Sequence, residues 1–539
     1  MKAPIAPRLA ALALLAALPW LNPFAPGPSS WVGPWLFSVV CGALACAIGQ
    51  PRAPRWGVAA LLAGVAGWAV LRSGGAPETL ALAAACLLVW VMAALGAGDA
   101  GREQLVRAFA VAWVAAAIAS TGAALLQYFG AAQAFDPWIN QTTGGEAYAN
   151  LRQRNQFASL TVIGMAALVW LAQQARGRRW LAAAAMAWLA AGNAVTTSRT
   201  GLLELLLLGV ALGWWTGLRS ARMRLWWIAL AAYLAAAVAL PLLAQALTGE
   251  PANSLWGRVS SSESCGSRMV LWANVLTLIG QRPWLGWGWG ELDYAHYATL
   301  YAGPRFCDIL DNAHNLPLHL AVELGLPAAL AVCATVAAAL WSGRPWREPE
   351  PTRQLAWIVL LVLAVHSLLE YPLWYGPFQI ALGLALGLLW PAAGPGRWQA
   401  AGRTAARLLA VAALAGAGYA GWDYARASQI YLPAERRAPG WQHDPLARLG
   451  GSWLFRNQVG FAELTLTPVT RENAARTHER AVQLLHFSPE PPVIEKLLDS
   501  AVVLGRRDED LLLQLARFRA AFPQAYDAWL ERARRAPPR

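Results

Sequence analysis

Apolar runs of about one bilayer thickness alternate with short polar connections over the first 424 residues. A hydrocarbon core of ~30 Å is crossed by roughly 20 apolar residues in a helix. Thirteen windows meet that length: 9–25, 31–50, 57–72, 78–97, 108–129, 156–175, 180–196, 202–218, 225–247, 315–341, 354–370, 377–393 and 404–424. Many are rich in Ala, Leu and Gly, the small residues that let membrane helices pack closely. The first follows a short basic leader. An immediate second run and the lack of a small-x-small cleavage site favour a retained helix over a signal peptide. Beyond 424 the pattern becomes amphipathic, with helical stretches at 474–485, 493–503 and 510–521, broken at Ser488–Pro492 and at Phe522-Pro523.

Composition sharpens this division. Charged residues are about one in ten before 425 and about a quarter after it, the latter an ordinary soluble value. The pattern predicts an all-α integral membrane protein with about 13 transmembrane helices and a water-soluble helical tail. It excludes a single soluble domain, a disordered chain and a secreted disulfide scaffold. The net charge of +13 does not indicate nucleic-acid binding. Lysine occurs only at Lys2 and Lys496, and arginine is concentrated in short loops, as topology signals are. Thirty tryptophans fit the membrane–water boundary.

Alternate connections carry Lys2/Arg8, Arg52/Arg55, Arg102/Arg107, Arg176/Arg178/Arg179, Arg219/Arg222/Arg224, Arg344/Arg347/Arg353 and Arg397/Arg403. The positive-inside rule assigns these to the cytoplasm. With an odd number of spans, the loops 130–155, 196–201, 248–314 and 370–376 then lie outside together with the tail. The chain divides accordingly into N-terminal transmembrane helices (1–129), a transmembrane core including the loop 248–314 (130–424), and an external helical domain (425–539).

The external loops hold the unusual residues. Asn150-Leu151-Arg152-Gln153-Arg154-Asn155-Gln156 is polar up to the next apolar run, with Asn155 as a natural helix cap. Arg199 stands alone between two apolar windows, where it could snorkel to lipid phosphate, pair with Glu204, or bind a ligand. Arg268 lies in Ser267-Arg268-Met269-Val270-Leu271-Trp272, and His314 in Asn312-Ala313-His314-Asn315-Leu316-Pro317. Pro317 fits the first turn of a helix and Asn315 its cap, so His314 sits at the helix mouth. Glu370-Tyr371-Pro372-Leu373-Trp374-Tyr375 is more polar than an aromatic belt requires. Asp308, Asp311 and His314 match no standard metal pattern, and no metal site is assigned.

Cys41, Cys46, Cys86 and Cys333 fall within apolar windows, while Cys265 and Cys307 share one external loop. An oxidising compartment lets that pair form a disulfide, which would clamp Arg268 and His314 into one structure. Guanidinium groups grip phosphate through a planar fork of donors. Imidazole moves protons near neutrality. Arg199, Arg268 and His314 at one lipid boundary therefore suit cleavage of a bond to a lipid-borne phosphate, with deprotonation of an acceptor.

The Ser198-Arg199 turn, the Ser267-Arg268 to Trp272 segment and Asn312–Leu318 resemble the O-antigen ligase and polymerase superfamily. Residues 151–158 and 370–375 resemble, more narrowly, its PglL-type bacterial protein O-oligosaccharyltransferases, apart from Arg154 where that motif has proline. The resemblance covers about 130–395, and the tail is similar to the C-terminal extension of that branch. It implies a GT-C-type glycosyltransferase bundle at the periplasmic face of a bacterial inner membrane. It further implies inverting, metal-independent and cofactor-free transfer of a glycan en bloc from undecaprenyl diphosphate. By position, Arg199 and Arg268 match the donor diphosphate ligands and His314 the catalytic base. Gln153, Asn155, Glu370, Tyr371 and Tyr375 fall on motifs that place substrate.

A TPR-like helical-repeat tail at 425–539 suits docking of an acceptor protein such as a pilin, and equally a stabilising cap. The rivals are ligation to lipid A-core or glycan polymerisation within the superfamily. Outside it, a lipid or solute transporter would use Glu204 and Glu323, and a scaffold would merely present the tail.

Overall fold

A computed structural model describes residues 5–22, 24, 28–98, 101–174, 179–249, 265–392 and 397–535. Lys2, Arg176 and Arg178, and residues 250–264 of the long loop, lie outside the described residues. The described chain is helical, with no strand among its elements. The helices of the apolar part are α1 (Ile5–Leu21), α2 (Val32–Ile48), α3 (Trp56–Ser73), α4 (Pro77–Gly96), α5 (Arg102–Tyr128), α6 (Arg154–Gln174), α7 (Arg179–Val195), α8 (Arg199–Thr216) and α9 (Ala221–Thr248). The long loop contributes α10 (Arg268–Gln281) and α11 (Leu292–Ala298). Then follow α12 (Leu316–Leu324), α13 (Leu326–Gly343), α14 (Pro351–Ser367), α15 (Gly376–Leu389) and α16 (Arg397–Ser428). The tail holds α17 (Pro445–Leu449), α18 (Arg456–Leu466), α19 (Ala474–Leu484), α20 (Pro491–Val503), α21 (Glu509–Ala521) and α22 (Pro523–Arg535). Seven of the described helices are long and apolar enough to cross a membrane, and four shorter helices are apolar. This is a multi-pass membrane protein.

The chain folds as two compact units. The first comprises Met1–Gly64, Leu82–Ser261 and Ala334–Gly418. Its helices approach closely through small residues. A Cβ on Gly201 of α8 would meet the Ala158 Cβ of α6 at 2.5 Å, and one on Gly164 of α6 the Ala117 Cβ of α5 at 2.8 Å. Loop arginines cluster at one end of this unit, where helices expose carbonyls that lack intrahelical donors. Arg102 Nη2 donates to Leu388 O at 2.7 Å, Arg353 Nη1 to Leu389 O at 2.9 Å, and Arg222 Nη1 to Gln354 Oε1 at 2.7 Å. Trp215 Nε1 at the end of α8 donates to Pro345 O at 2.7 Å. The arginines read as orientation signals therefore also satisfy or brace helix termini. Following α6, α8 and α14 to their other ends leads to Asn155, Ser198 and Glu370.

The second unit comprises Val65–Ala81, Ser262–Cys333 and Tyr419–Arg539. Its helices α18 to α22 pack each on the next, with α18 also on α20 and α20 on α22. Leu484, Ile494, Leu498, Phe518 and Trp529 form their buried centre, and Tyr297 of α11 completes it. Tyr297 donates its hydroxyl to Gln514 Oε1 at 2.9 Å, and Tyr294 stacks on His486, whose ring meets Glu291 at 2.6 Å. The tail and the long loop thus share one core.

The window 315–341, expected as one span, is two helices. The chain breaks between Leu324 and Leu326 at Gly325, whose φ is +91°. The segment Trp284-Leu285-Gly286-Trp287-Gly288-Trp289-Gly290 and the preceding Pro283 fill the break: Trp287 N donates to Val322 O, Gly288 N to Glu323 O, and Leu326 N to Pro283 O, all within 2.9 Å. A Cβ on Gly286 (φ +67°) would stand 2.3 Å from Glu323 O, and one on Gly325 2.2 Å from Trp284 O. Only glycine permits this backbone-to-backbone contact. Hydropathy could not reveal it, because both halves of the window are apolar.

Candidate functional site

In the first unit, Ser198 caps α8, its Oγ accepting from Gly201 N at 2.9 Å, the usual arrangement at a helix start. Arg199 follows as the first helical residue and is exposed. It does not pair with Glu204, which is 1% exposed and accepts from Ser159 Oγ at 2.7 Å. Among the described residues no ion pair engages the Arg199 guanidinium.

Ser198 Oγ also donates to Asn155 Oδ1 at 2.6 Å, and Asn155 Nδ2 donates to Glu370 Oε1 at 3.0 Å. Three loops far apart in sequence thus meet through one hydrogen-bond chain. Asn155 is not the cap expected of it. Helix α6 begins at Arg154, and Gln153 Oε1 accepts from Gln156 N at 2.7 Å. That frees the Asn155 amide to bridge α8 and the segment after α14. Arg154 stands at the first helical position, where proline is readily accommodated, so departure from the motif leaves the helix start intact. Tyr371 and Tyr375 stack with ring centroids 6.0 Å apart.

One turn deeper lie residues that the sequence reading did not join. Ser159 Oγ is 2.8 Å from His366 Nδ1 as well as hydrogen-bonded to Glu204, and all three residues are at most 1% exposed. The signal was present as i, i+4 spacing: Asn155 and Ser159 share one face of α6, and His366 precedes Glu370 by four.

In the second unit, Ser267 caps α10, its Oγ accepting from Val270 N, and Arg268 is the first helical residue. Trp272, one turn on, donates from Nε1 to Ala313 O at 3.1 Å, tying the Arg268 helix to the residue before His314. Asn274 Nδ2 donates to Pro304 O and its Oδ1 accepts from Phe306 N, at 2.9 and 2.8 Å. Asn315 caps α12 through Leu318 N, with Pro317 in the first turn, as expected. His314 is half-exposed at φ +50°, its N–H donating to Asn312 Oδ1 at 2.9 Å. Partial loss of water raises the Asp311 carboxyl above its ordinary pKa, opposed first by His314 and then by His319. Asp311 is therefore within electrostatic reach of the imidazole.

Cys265 and Cys307 form a disulfide across 42 residues. In the chain-entropy account a loop of that size contributes about 4 kcal/mol. Cys307→Ser is expected to lower the thermal midpoint of the purified protein by several degrees, and reductant to do the same to the parent but not to the variant.

His296 locks the neighbouring turn. Its Nε2 faces Phe306 O at 3.1 Å and its Nδ1 faces the Tyr301 hydroxyl at 2.8 Å. An imidazole that donates from Nε2 to the carbonyl and accepts at Nδ1 is neutral. Burial, then Arg305, lowers its pKa to about 3. The unfolded chain takes up this proton near pH 6.5 and the folded chain only near 3. Stability is therefore expected to fall as pH drops through that interval. Thermal melts between pH 8 and pH 5 should show the slope in the parent, and a shallower one in His296→Gln.

Residues 184–333 match the family model of O-antigen ligases, 147–172 that of a protein glycosylation ligase, and 354–536 that of the C-terminal part of a virulence-factor membrane-bound polymerase. Arg199, Arg268 and His314 all fall in the first match, Asn155 in the second and Glu370 in the third.

Among individual proteins, the chain is 23% identical over 305 residues to a general O-oligosaccharyltransferase of Acinetobacter baylyi, covering 55% of this chain and 52% of that protein. It is 23% identical over 254 residues to a ComP-specific O-oligosaccharyltransferase of the same organism, covering 47% and 45%. The chain spans about half the length of the curated relatives it matches. The resemblance to O-antigen ligases and PglL-type enzymes read from the motifs holds.

Proposed function

We propose that this protein is an inverting membrane glycosyltransferase. It moves an oligosaccharide en bloc from undecaprenyl diphosphate to a Ser or Thr hydroxyl of a periplasmic, pilin-like protein. It lies in a bacterial inner membrane with about thirteen spans, its site and TPR-like tail facing the periplasm. The observation carrying this reading is the Trp272–Ala313 tie, which fixes the helix bearing Arg268 against the segment bearing His314.

His314 removes the acceptor hydroxyl proton as that oxygen attacks the anomeric carbon from the side opposite the diphosphate. The bond from that carbon to the phosphate oxygen breaks, and the electron pair leaves with undecaprenyl diphosphate. Arg199 and Arg268 hold the donor diphosphate, facing its negative charge both before and after the bond breaks. Gln153, Asn155, Glu370, Tyr371 and Tyr375 shape the approach of donor and acceptor. The tail receives the acceptor protein.

Purified enzyme incubated with a polyprenyl-diphosphate glycan and a candidate pilin should yield the intact glycan on a Ser or Thr side chain. Transfer only to lipid A-core, or only lengthening of the lipid-linked glycan, would establish the ligase or polymerase reading, to which the first and third family matches also point. A transporter uses a helix break to line a cavity. Here the break at Gly325 is filled by the backbone of 283–288, so this break does not supply that feature.

A further inference from the structure

Two rows of hydrogen bonds cross from α8 through α6 to α14 and the segment after it, one helical turn apart. The outer row is Ser198–Asn155–Glu370 and the inner row Glu204–Ser159–His366. The middle member of each row lies on α6. The Ser159 hydroxyl has one proton. When it is donated to Glu204, His366 Nδ1 must carry a hydrogen and donate to Ser159 Oγ. The inner row is sealed from solvent, and Glu204 Oε2 has no hydrogen-bond partner among the described residues.

Burying a carboxyl and an imidazole is an inefficient way merely to join three helices. Apolar side chains of similar volume often do as well or better. The row's location suggests what it gains. Glu204 lies five residues after Arg199 on the same helix, and Ser159 lies one turn below the Asn155 that grips Ser198. Fixed at two levels, α8 can neither rotate nor slide relative to α6. The direction of its first residue is thereby fixed as well.

We propose that Ser159, Glu204 and His366 are positioning residues that hold the Arg199 guanidinium in register for a lipid-linked diphosphate. This rests on the reading of Arg199 as a ligand of the donor diphosphate. The side chains act through helix placement and touch no reacting atom.

The test measures KM for a polyprenyl-diphosphate glycan, kcat and thermal midpoint on the full-length purified enzyme. Ser159→Ala and Glu204→Leu are expected to raise the donor KM about tenfold or more, with kcat within about threefold of the parent. Glu204→Gln keeps the acceptor oxygen for Ser159 and should stay within about threefold in both constants. Unchanged KM in Ser159→Ala, with only a lower thermal midpoint, would overturn the proposal, as would a Glu204→Gln enzyme as impaired as Glu204→Leu. If Glu204→Leu does not fold, Ser159→Ala and Glu204→Gln decide the matter. Arg199→Ala separates the two levels. A raised KM there beside a normal Ser159→Ala overturns positioning alone. A normal KM in Arg199→Ala overturns positioning and the diphosphate reading together.

Discussion

His314→Ala is expected to abolish glycan transfer while leaving the protein folded and inserted. His314 itself occupies a left-handed backbone position and precedes the Asn315 cap, and three hydrogen bonds that fix this segment use atoms other than its side chain. Asn312 accepts from the His314 backbone N–H, Asn315 caps Leu318 N, and Trp272 holds Ala313 O. None of these is lost on truncation to alanine, so the helix mouth should persist. What disappears is the group assigned to take the acceptor proton. General-base contributions are typically about 100- to 10,000-fold, so transfer should fall by at least that factor. The checks are a single-turnover assay on purified enzyme, with a thermal melt and membrane fractionation showing unchanged fold and insertion. A variant with full transfer would remove histidine from the mechanism.

Arg268→Lys should be nearly as revealing, because it retains the charge. Arg268 is the first residue of a capped helix whose N-terminus already favours anions. A lysine there still presents a cation but replaces a rigid, forked donor set with a point charge on a flexible stem. Losing one charge-assisted hydrogen bond of about 1.5 to 3 kcal/mol corresponds to a decrease in kcat/KM of about 10- to 100-fold. Steady-state assays over a donor concentration series would detect it. An Arg268→Lys enzyme equal to the parent would show that a general positive field suffices and that the fork has no role.

Much of this architecture was legible because membrane insertion imposes few choices. Each of the thirteen apolar windows overlaps a helix, since backbone groups in lipid must be satisfied within the segment, and the basic connections among the described residues lie where helices end, since charge is costly in hydrocarbon. Local chemistry was also readable at Asn315, which caps α12 as its place before Leu316-Pro317 suggests, whereas the caps at Ser198 and Ser267 emerge only from the structure. Pairings decided by tertiary contact were not. Asn155 read as a cap, because nothing in one sequence shows that Gln153 would take that task and leave the amide for Ser198 and Glu370. The break at Gly325 was hidden within continuous apolarity. It depends on glycines 286 and 325 meeting across nearly forty residues. Tyr297 entering the tail core likewise could not be foreseen, since periodicity describes a helix face but not its partner. His366 went unnoticed as a single polar residue in an apolar run.

The proposed function requires that Arg199, Arg268 and His314, from separate segments, act on one lipid-linked diphosphate. A polyprenyl-diphosphate probe with a short photoreactive group beside the phosphates tests it directly, with cross-linked peptides of the full-length protein identified by mass spectrometry. Labelling is expected both at 196–201 and within 265–269 or 312–316, suppressed by excess unlabelled donor. Labelling confined to one of these segments, or to the arginine-rich loops such as 219–224 and 344–353, would contradict it.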